Sequence, residues 1–173
     1  MTAPNPLDFS GLPELVDAHN NYQHFKKLAA LGDQMTSLRR RFEPIHEYHF
    51  PGWISQIAQK LGLAKRPDWS RYLGELRTLQ DESGRIAEQG KHVVEIILAT
   101  NVDERFKNLA KLCFNQLYYE ASVINQMQGL VSKMVAGDPN CMAHFVVMQD
   151  MRHKAQQNFP QLMKMANSLR RAV

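Results

Sequence analysis

The chain has 173 residues, of which 44% are hydrophobic and 22% charged, and its formal net charge is +4. This composition excludes a wholly disordered chain, and the length is sufficient for one sizeable hydrophobic core. The mild positive charge permits attraction to nucleic acid or to an anionic membrane without requiring either. We expect a flexible lead over residues 1–10, which contain Pro4 and Pro6, and one helical domain over residues 11–173.

The first predicted element is a long helix that starts near Leu12. Its apolar residues recur at steps of three and four, which places them on one side of a helix with nearly the 3.5-residue period of a coiled coil. The stripe consists of Leu15, Ala18, Tyr22, Phe25, Ala29, Gly32, Met35, Leu38, Phe42 and Ile45.

Residues 51–100 are predicted to form a shorter helical insertion, a head appended to the long helices. One helix is expected from Pro51 or Gly52 to about Leu63, and a break before Pro67 follows from the restricted backbone of the preceding residue. Asp68 is suited to cap a further helix. The run KHVVEIILA that ends at residue 99 has the composition of a strand, but nothing else in the chain offers it a sheet partner. We therefore predict a helix there.

The last two predicted elements form an antiparallel hairpin. A helix capped by Asn101 or Asp103 is expected to end at Gly137, and Asp138-Pro139 is expected to open the final helix. Pro160 should kink that helix. The two apolar seams are Phe106, Ala110, Cys113, Leu117, Ala121, Ile124, Val131 and Met134, then Met142, Phe145, Met148, Met151, Ala155, Phe159, Leu162, Met165 and Leu169. The predicted fold is an all-α, elongated bundle of three long helices with a shorter helical insertion.

One stretch has the residue types of a metal site. Glu43, His46 and His49 follow one another at three-residue intervals, and carboxylate and imidazole groups at that spacing hold metals in helical bundles. No second Glu-x-x-His motif accompanies them, and Pro44 makes the helical register uncertain. A helix end is the favoured interpretation of this stretch, with metal binding as an alternative.

The final helix concentrates positive charge. From His144 onward the chain has five basic residues and one acidic residue, so this part has the whole net charge of +4. Nucleic-acid binding is therefore a second alternative, although basic residues near a helix C-terminus also interact favourably with the helix dipole. Six of the nine methionines lie in the last 40 residues, and Met163 is off the seam. The predicted contact residues are Arg152, Lys154, Met163, Lys164, Arg170 and Arg171.

Catalysis, cofactor binding and membrane insertion have little support in the sequence. There is no phosphate-binding loop, no G-x-S-x-G, no H-E-x-x-H and no C-x-x-C, and Cys113 lies within an apolar seam. Cys113 and Cys141 are interpreted as two core thiols, with a single disulfide as the alternative. No apolar run approaches the roughly 20 residues of a transmembrane helix, and no secretory signal is visible. We expect a cytoplasmic protein, or else an exported chain without its signal.

Together these patterns predict a non-catalytic subunit that works by binding other proteins or by self-association. Long helices with a period near 3.5 often extend their seam into a partner, and Met-rich faces adapt to varied partners. Subunits of secretion or conjugation machinery and phage assembly proteins are often built this way, which is an analogy at the level of the fold.

Overall fold

The computed structural model describes residues 19–49 and 69–170, which form four long helices. They are α1 (His19–His49), α2 (Trp69–Ala99), α3 (Glu104–Val135) and α4 (Met142–Arg170), with a short 3-10 turn at Pro139–Cys141. No strand occurs within these two ranges, and the predicted all-α bundle is confirmed. The predicted lead at 1–10 and the predicted helix at 51–63 lie outside the described residues.

The structure has more long helices than the sequence predicted. At 31 residues α2 is as long as α1, and it continues through both Gly84 and Gly90. It packs along α1 and α3 with Leu76 and Leu79 fully buried. The part of the predicted head at 69–99 is therefore a full-length bundle helix rather than a shorter insertion. The helix predicted for KHVVEIILA is confirmed, and its Ile97 lies in the core.

The core consists of two layers of side chains, one toward each end of the bundle. The first layer joins the start of α1 and α3 to the end of α2 and α4, whereas the second joins the opposite ends. The helices therefore run up, down, up and down. Leu38, Leu117 and Leu162, one from each predicted seam, are all buried. The three apolar stripes thus meet in one interior.

The residues predicted to begin and end α3 and to open the next helix are confirmed in those roles. The Asp103 carboxylate caps α3 by accepting the backbone N–H of Arg105 at 2.8 Å. Gly137 follows α3 with φ of 70°, the left-handed conformation that glycine adopts without strain. Asp138 then accepts the Asn140 N–H at 2.8 Å, which opens the turn into α4.

Two prolines lie within the helices. Helix α1 continues past Pro44 to His49, and α4 contains Pro160, where the kink stays a prediction. Seam positions near the helix ends are also exposed: Met134 is 37% exposed and Met142 58% exposed. These two residues flank the α3–α4 turn.

Candidate binding cleft

The fourth helix is attached to the bundle on one side only. Among the described helices, α1, α2 and α3 approach one another pairwise, but no Cα atom of α4 comes within 8 Å of α1 or α2. Helix α4 therefore packs its backbone on α3 alone, and a cleft opens between α1 and α4. We call it the α1–α4 cleft; its cavity has a volume of about 410 Å³.

The floor of the α1–α4 cleft belongs to α3. It is formed by Gln116, Glu120, Val123 and Ile124, which span eight residue steps. At about 1.5 Å per residue, the floor runs for about 12 Å parallel to the helix axes. The cleft therefore has the shape of a groove that follows the helices.

The two walls combine apolar surface with charge. From α1 come Arg39, Phe42 and Glu43, and from α4 come Arg152, Ala155, Gln156, Phe159 and Pro160. Phe159 is 42% exposed, an unusual exposure for a seam phenylalanine. Its ring covers part of the cleft wall without a helix on its other side, so the cleft presents apolar surface to solvent.

A relay of amide groups holds a carboxylate in the cleft. The buried Asn158 amide of α4 donates to the Leu112 carbonyl and to Gln116 Oε1, both at 3.0 Å. The Gln116 amide in turn donates to Glu120 Oε1 at 2.7 Å. Two neighbouring helices therefore fix the position of the Glu120 carboxylate. The other oxygen, Oε2, has no hydrogen bond to any described residue.

The negative charge of Glu120 is only partly compensated by the groups around it. Burial raises the pKa of Glu120, and this effect outweighs the Gln116 hydrogen bond and the attraction of Arg39. Arg39 is already paired, since its Nε lies 2.7 Å from Glu43 Oε1, and this ion pair raises the pKa of Arg39. The cleft thus contains a half-buried carboxylate, and Arg39, which attracts it, is also paired with Glu43.

The predicted contact residues of the last helix do not form one surface. Arg152 lines the α1–α4 cleft, whereas the Lys154 ammonium binds the Asp150 carboxylate at 2.8 Å. Two residues of helix separate Arg152 and Lys154 by about 200°, so they face different sides of α4. Lys164 is exposed and Met163 half-buried, with Met163 four residues after Phe159 on the cleft side. The side chain of Arg170 and all of Arg171 lie outside the described residues.

The proposed metal ligands are only partly described. The Glu43 carboxylate is engaged by Arg39, and the side chains of His46 and His49 lie outside the described side chains. Among those that are described, no three His, Cys, Asp or Glu residues lie close enough to hold a metal ion. Metal binding by Glu43, His46 and His49 therefore stays a hypothesis.

The two cysteines are separate thiols. Cys113 is completely buried in the core, and burial raises its pKa to about 12. A thiol with that pKa stays protonated near neutral pH and is a poor nucleophile. Cys141 is half-buried in the turn before α4, and both thiols are free.

A second apolar surface lies at the α3–α4 turn. Five exposed apolar residues gather near the end of α3 and the start of α4: Met134, Val135, Met142, Val146 and Val147. We call them the hairpin-end patch. None of these five residues lines the α1–α4 cleft.

Glu120 escaped the sequence analysis, although a signal was present. Leu109, Cys113, Ile124 and Met127 share one side of α3 at steps of three and four, and Gln116 and Glu120 occupy the two intermediate positions. Two consecutive polar positions within an apolar series indicate a polar site at a helix interface. The pattern does not show which of the neighbouring helices leaves Gln116 and Glu120 uncovered.

The chain has no match among protein-family models, curated proteins or solved structures. None of the four described helices has the length and hydropathy that a membrane-spanning helix requires.

Proposed function

We propose that this chain is a non-catalytic binding subunit that receives an amphipathic helical segment of another protein in the α1–α4 cleft. The single observation that supports this proposal is the separation of α4 from α1, which leaves an apolar cleft open over α3. A fully packed bundle would place side chains there.

The shape of the cleft favours a helix over a compact small molecule. Its floor runs for about 12 Å along α3, a little more than two helical turns. Amphipathic helices bind grooves of this kind through side chains at positions i, i+3 or i+4, and i+7. Phe42, Val123 and Phe159 supply apolar contacts for such side chains, and assembly into a larger complex is a natural use of this binding.

Site-specific photo-crosslinking in the cells that produce the protein tests this proposal. A photoreactive phenylalanine analogue would replace Gln156, an exposed residue at the cleft, and in a matched variant Gln161, an exposed residue about 140° further around α4. We expect a discrete adduct with one other protein from position 156 and none from position 161. Equal labelling at both positions, or an adduct within the chain itself, would contradict the proposal.

A filled cleft provides the second arm of the test. Ala155→Trp places an indole in the cleft and should abolish the adduct from position 156. Ala143→Trp introduces the same side chain at an exposed position outside the cleft and should leave the adduct intact. Circular dichroism and thermal unfolding would establish that both variants are folded. An adduct that persists in Ala155→Trp places the partner elsewhere on the molecule.

A further inference from the structure

We propose that Glu120 anchors a lysine or arginine side chain of the bound helix; this inference rests on the proposed function and specifies the chemistry of its partner. The geometry assigns this role to Glu120 because the carboxylate is held in the cleft with one oxygen unused. Two apolar residues beside it, Val123 and Phe159, fit the aliphatic stem of such a side chain.

The position of the carboxylate is fixed before any partner arrives. Asn158 orients Gln116, and Gln116 holds Glu120 Oε1, while no described residue donates a hydrogen bond to Oε2. A preorganised acceptor loses little conformational entropy on binding. An ammonium or guanidinium at Oε2 would form a charge-assisted hydrogen bond, which is shorter and stronger than a neutral one.

Charged side chains from both facing helices line the cleft together with Glu120. Helix α1 presents Arg39 and Glu43, which are paired with each other, and α4 presents Arg152. Burial raises the pKa of Glu120, so its charge is more costly than that of an exposed glutamate. A bound cation would offset that cost. Pro160, on the same wall, has no backbone N–H to offer the carbonyl of Gln156.

A display library of helical peptides tests the anchor directly. Each peptide would be 16 residues long, with leucine at two positions of one face and all amino acids at four others. Selection on the wild-type chain should enrich lysine or arginine at one position relative to the leucines. Selection on Glu120→Gln, which keeps the size of the side chain and its bond to Gln116, should lose that enrichment. Glu95→Gln, at an exposed position of α2 outside the cleft, is the matched control and should keep it.

A selected peptide then allows a quantitative measurement. Replacing its lysine by norleucine should weaken binding to the wild-type chain by at least about tenfold, since hydrogen bonds to charged groups contribute about 1.5–3 kcal/mol. The same replacement should change binding to Glu120→Gln by less than about twofold. Lowering the pH protonates Glu120 and should weaken binding of the lysine peptide, beginning at a higher pH than for an ordinary glutamate. Binding to Glu120→Gln should lack this pH dependence.

The outcomes separate the two proposals. Cleft-bound peptides without a preferred cation, or an equal loss on replacing lysine in wild type and Glu120→Gln, would overturn the anchor and leave the binding cleft standing. A library whose binders are all unaffected by Ala155→Trp would overturn both. An anchored cation is supported only if the preference depends on Glu120 and binding is lost when the cleft is filled.

Discussion

Helices α3 and α4 are joined by a short turn and are of similar length, yet they differ in how they are buried. Helix α3 lies against all three of its neighbours, whereas the backbone of α4 approaches α3 alone. Buried residues recur along α3 from Phe106 to Val131, whereas α4 exposes the apolar residues Met142, Val146 and Phe159. Helix α3 is thus the centre of the fold, and α4 supplies one side of a binding cleft.

The largest expected effect is the loss of stability caused by a cavity in α3. Leu109 is fully buried, and Leu109→Ala should destabilise the protein by about 2–5 kcal/mol because it leaves a void that the core cannot refill. Val146→Ala on the outside of α4 should change stability by no more than about 0.5 kcal/mol. Equilibrium urea unfolding measures both. Equal losses would mean that α3 and α4 do not differ in burial as described.

The contact between α3 and α4 depends on a glycine. A Cβ atom at Gly129 would lie 2.6 Å from Cε1 of the His144 ring, which is held by Gln126 at 2.8 Å. Gly129→Ala should therefore cost about 1–3 kcal/mol, the usual cost of overpacking. Gly84→Ala, where the added methyl group meets open space, should instead stabilise α2 by about 0.5–1 kcal/mol.

A second substitution tests whether the His144 ring is what an added methyl group at Gly129 would clash with. His144→Ala removes the ring, so the double variant should recover most of the stability that Gly129→Ala loses in thermal unfolding. A double variant no more stable than the single one would show that the ring is not the obstacle.

The amide relay joins α4 to the floor of the cleft. Asn158 is only 7% exposed, and Asn158→Ala removes the donor that satisfies Gln116 Oε1. We expect a loss of about 1–3 kcal/mol in chemical unfolding, as for other buried groups left without a partner. Gln157→Ala, at the neighbouring exposed position, should cost no more than about 0.5 kcal/mol. Equal effects would indicate that the relay does not hold α4.

The smallest expected effect is on the pH dependence of stability. Because burial raises the pKa of Glu120 in the folded chain, the unfolded chain ionises it more readily. The ionised carboxylate therefore costs stability above its folded pKa, and that cost disappears as the pH falls below the unfolded value near 4.5. Glu120→Gln should be more stable than the wild type at pH 7, with a difference in melting temperature that closes below about pH 4.5. A constant difference across this range would contradict the assigned environment.

If these measurements show that the Glu120 carboxylate lowers stability, the result is informative about function. Residues that bind partners are often retained at the expense of folding free energy. The melting temperatures of the wild type and Glu120→Gln at pH 7 therefore bear on the comparison of α3 with α4. Helix α3 combines the largest set of buried apolar residues with a carboxylate that the bundle only partly compensates. The same measurements at pH 4 provide the internal control.

The sequence by itself determined the helical class, the seams and most of the helix ends. Spacings of three and four residues place Leu38, Leu117 and Leu162 in a common interior whichever way the helices are arranged. Asp103 and Gly137 terminate α3 by local backbone chemistry that needs no tertiary contact. The full length of α2 was missed because its Gly84 and Gly90 indicate weakness that packing on α1 and α3 overrides.

Only the tertiary structure decided where the cleft lies and which residues face it. Periodicity identifies the side of a helix that is buried, but it does not say which neighbour covers that side. Gln116, Glu120 and Asn158 become a site because α4 packs on α3 while remaining apart from α1. Helix geometry alone turns Arg152 and Lys154 to different sides of α4, but only the tertiary structure places Arg152 at the cleft.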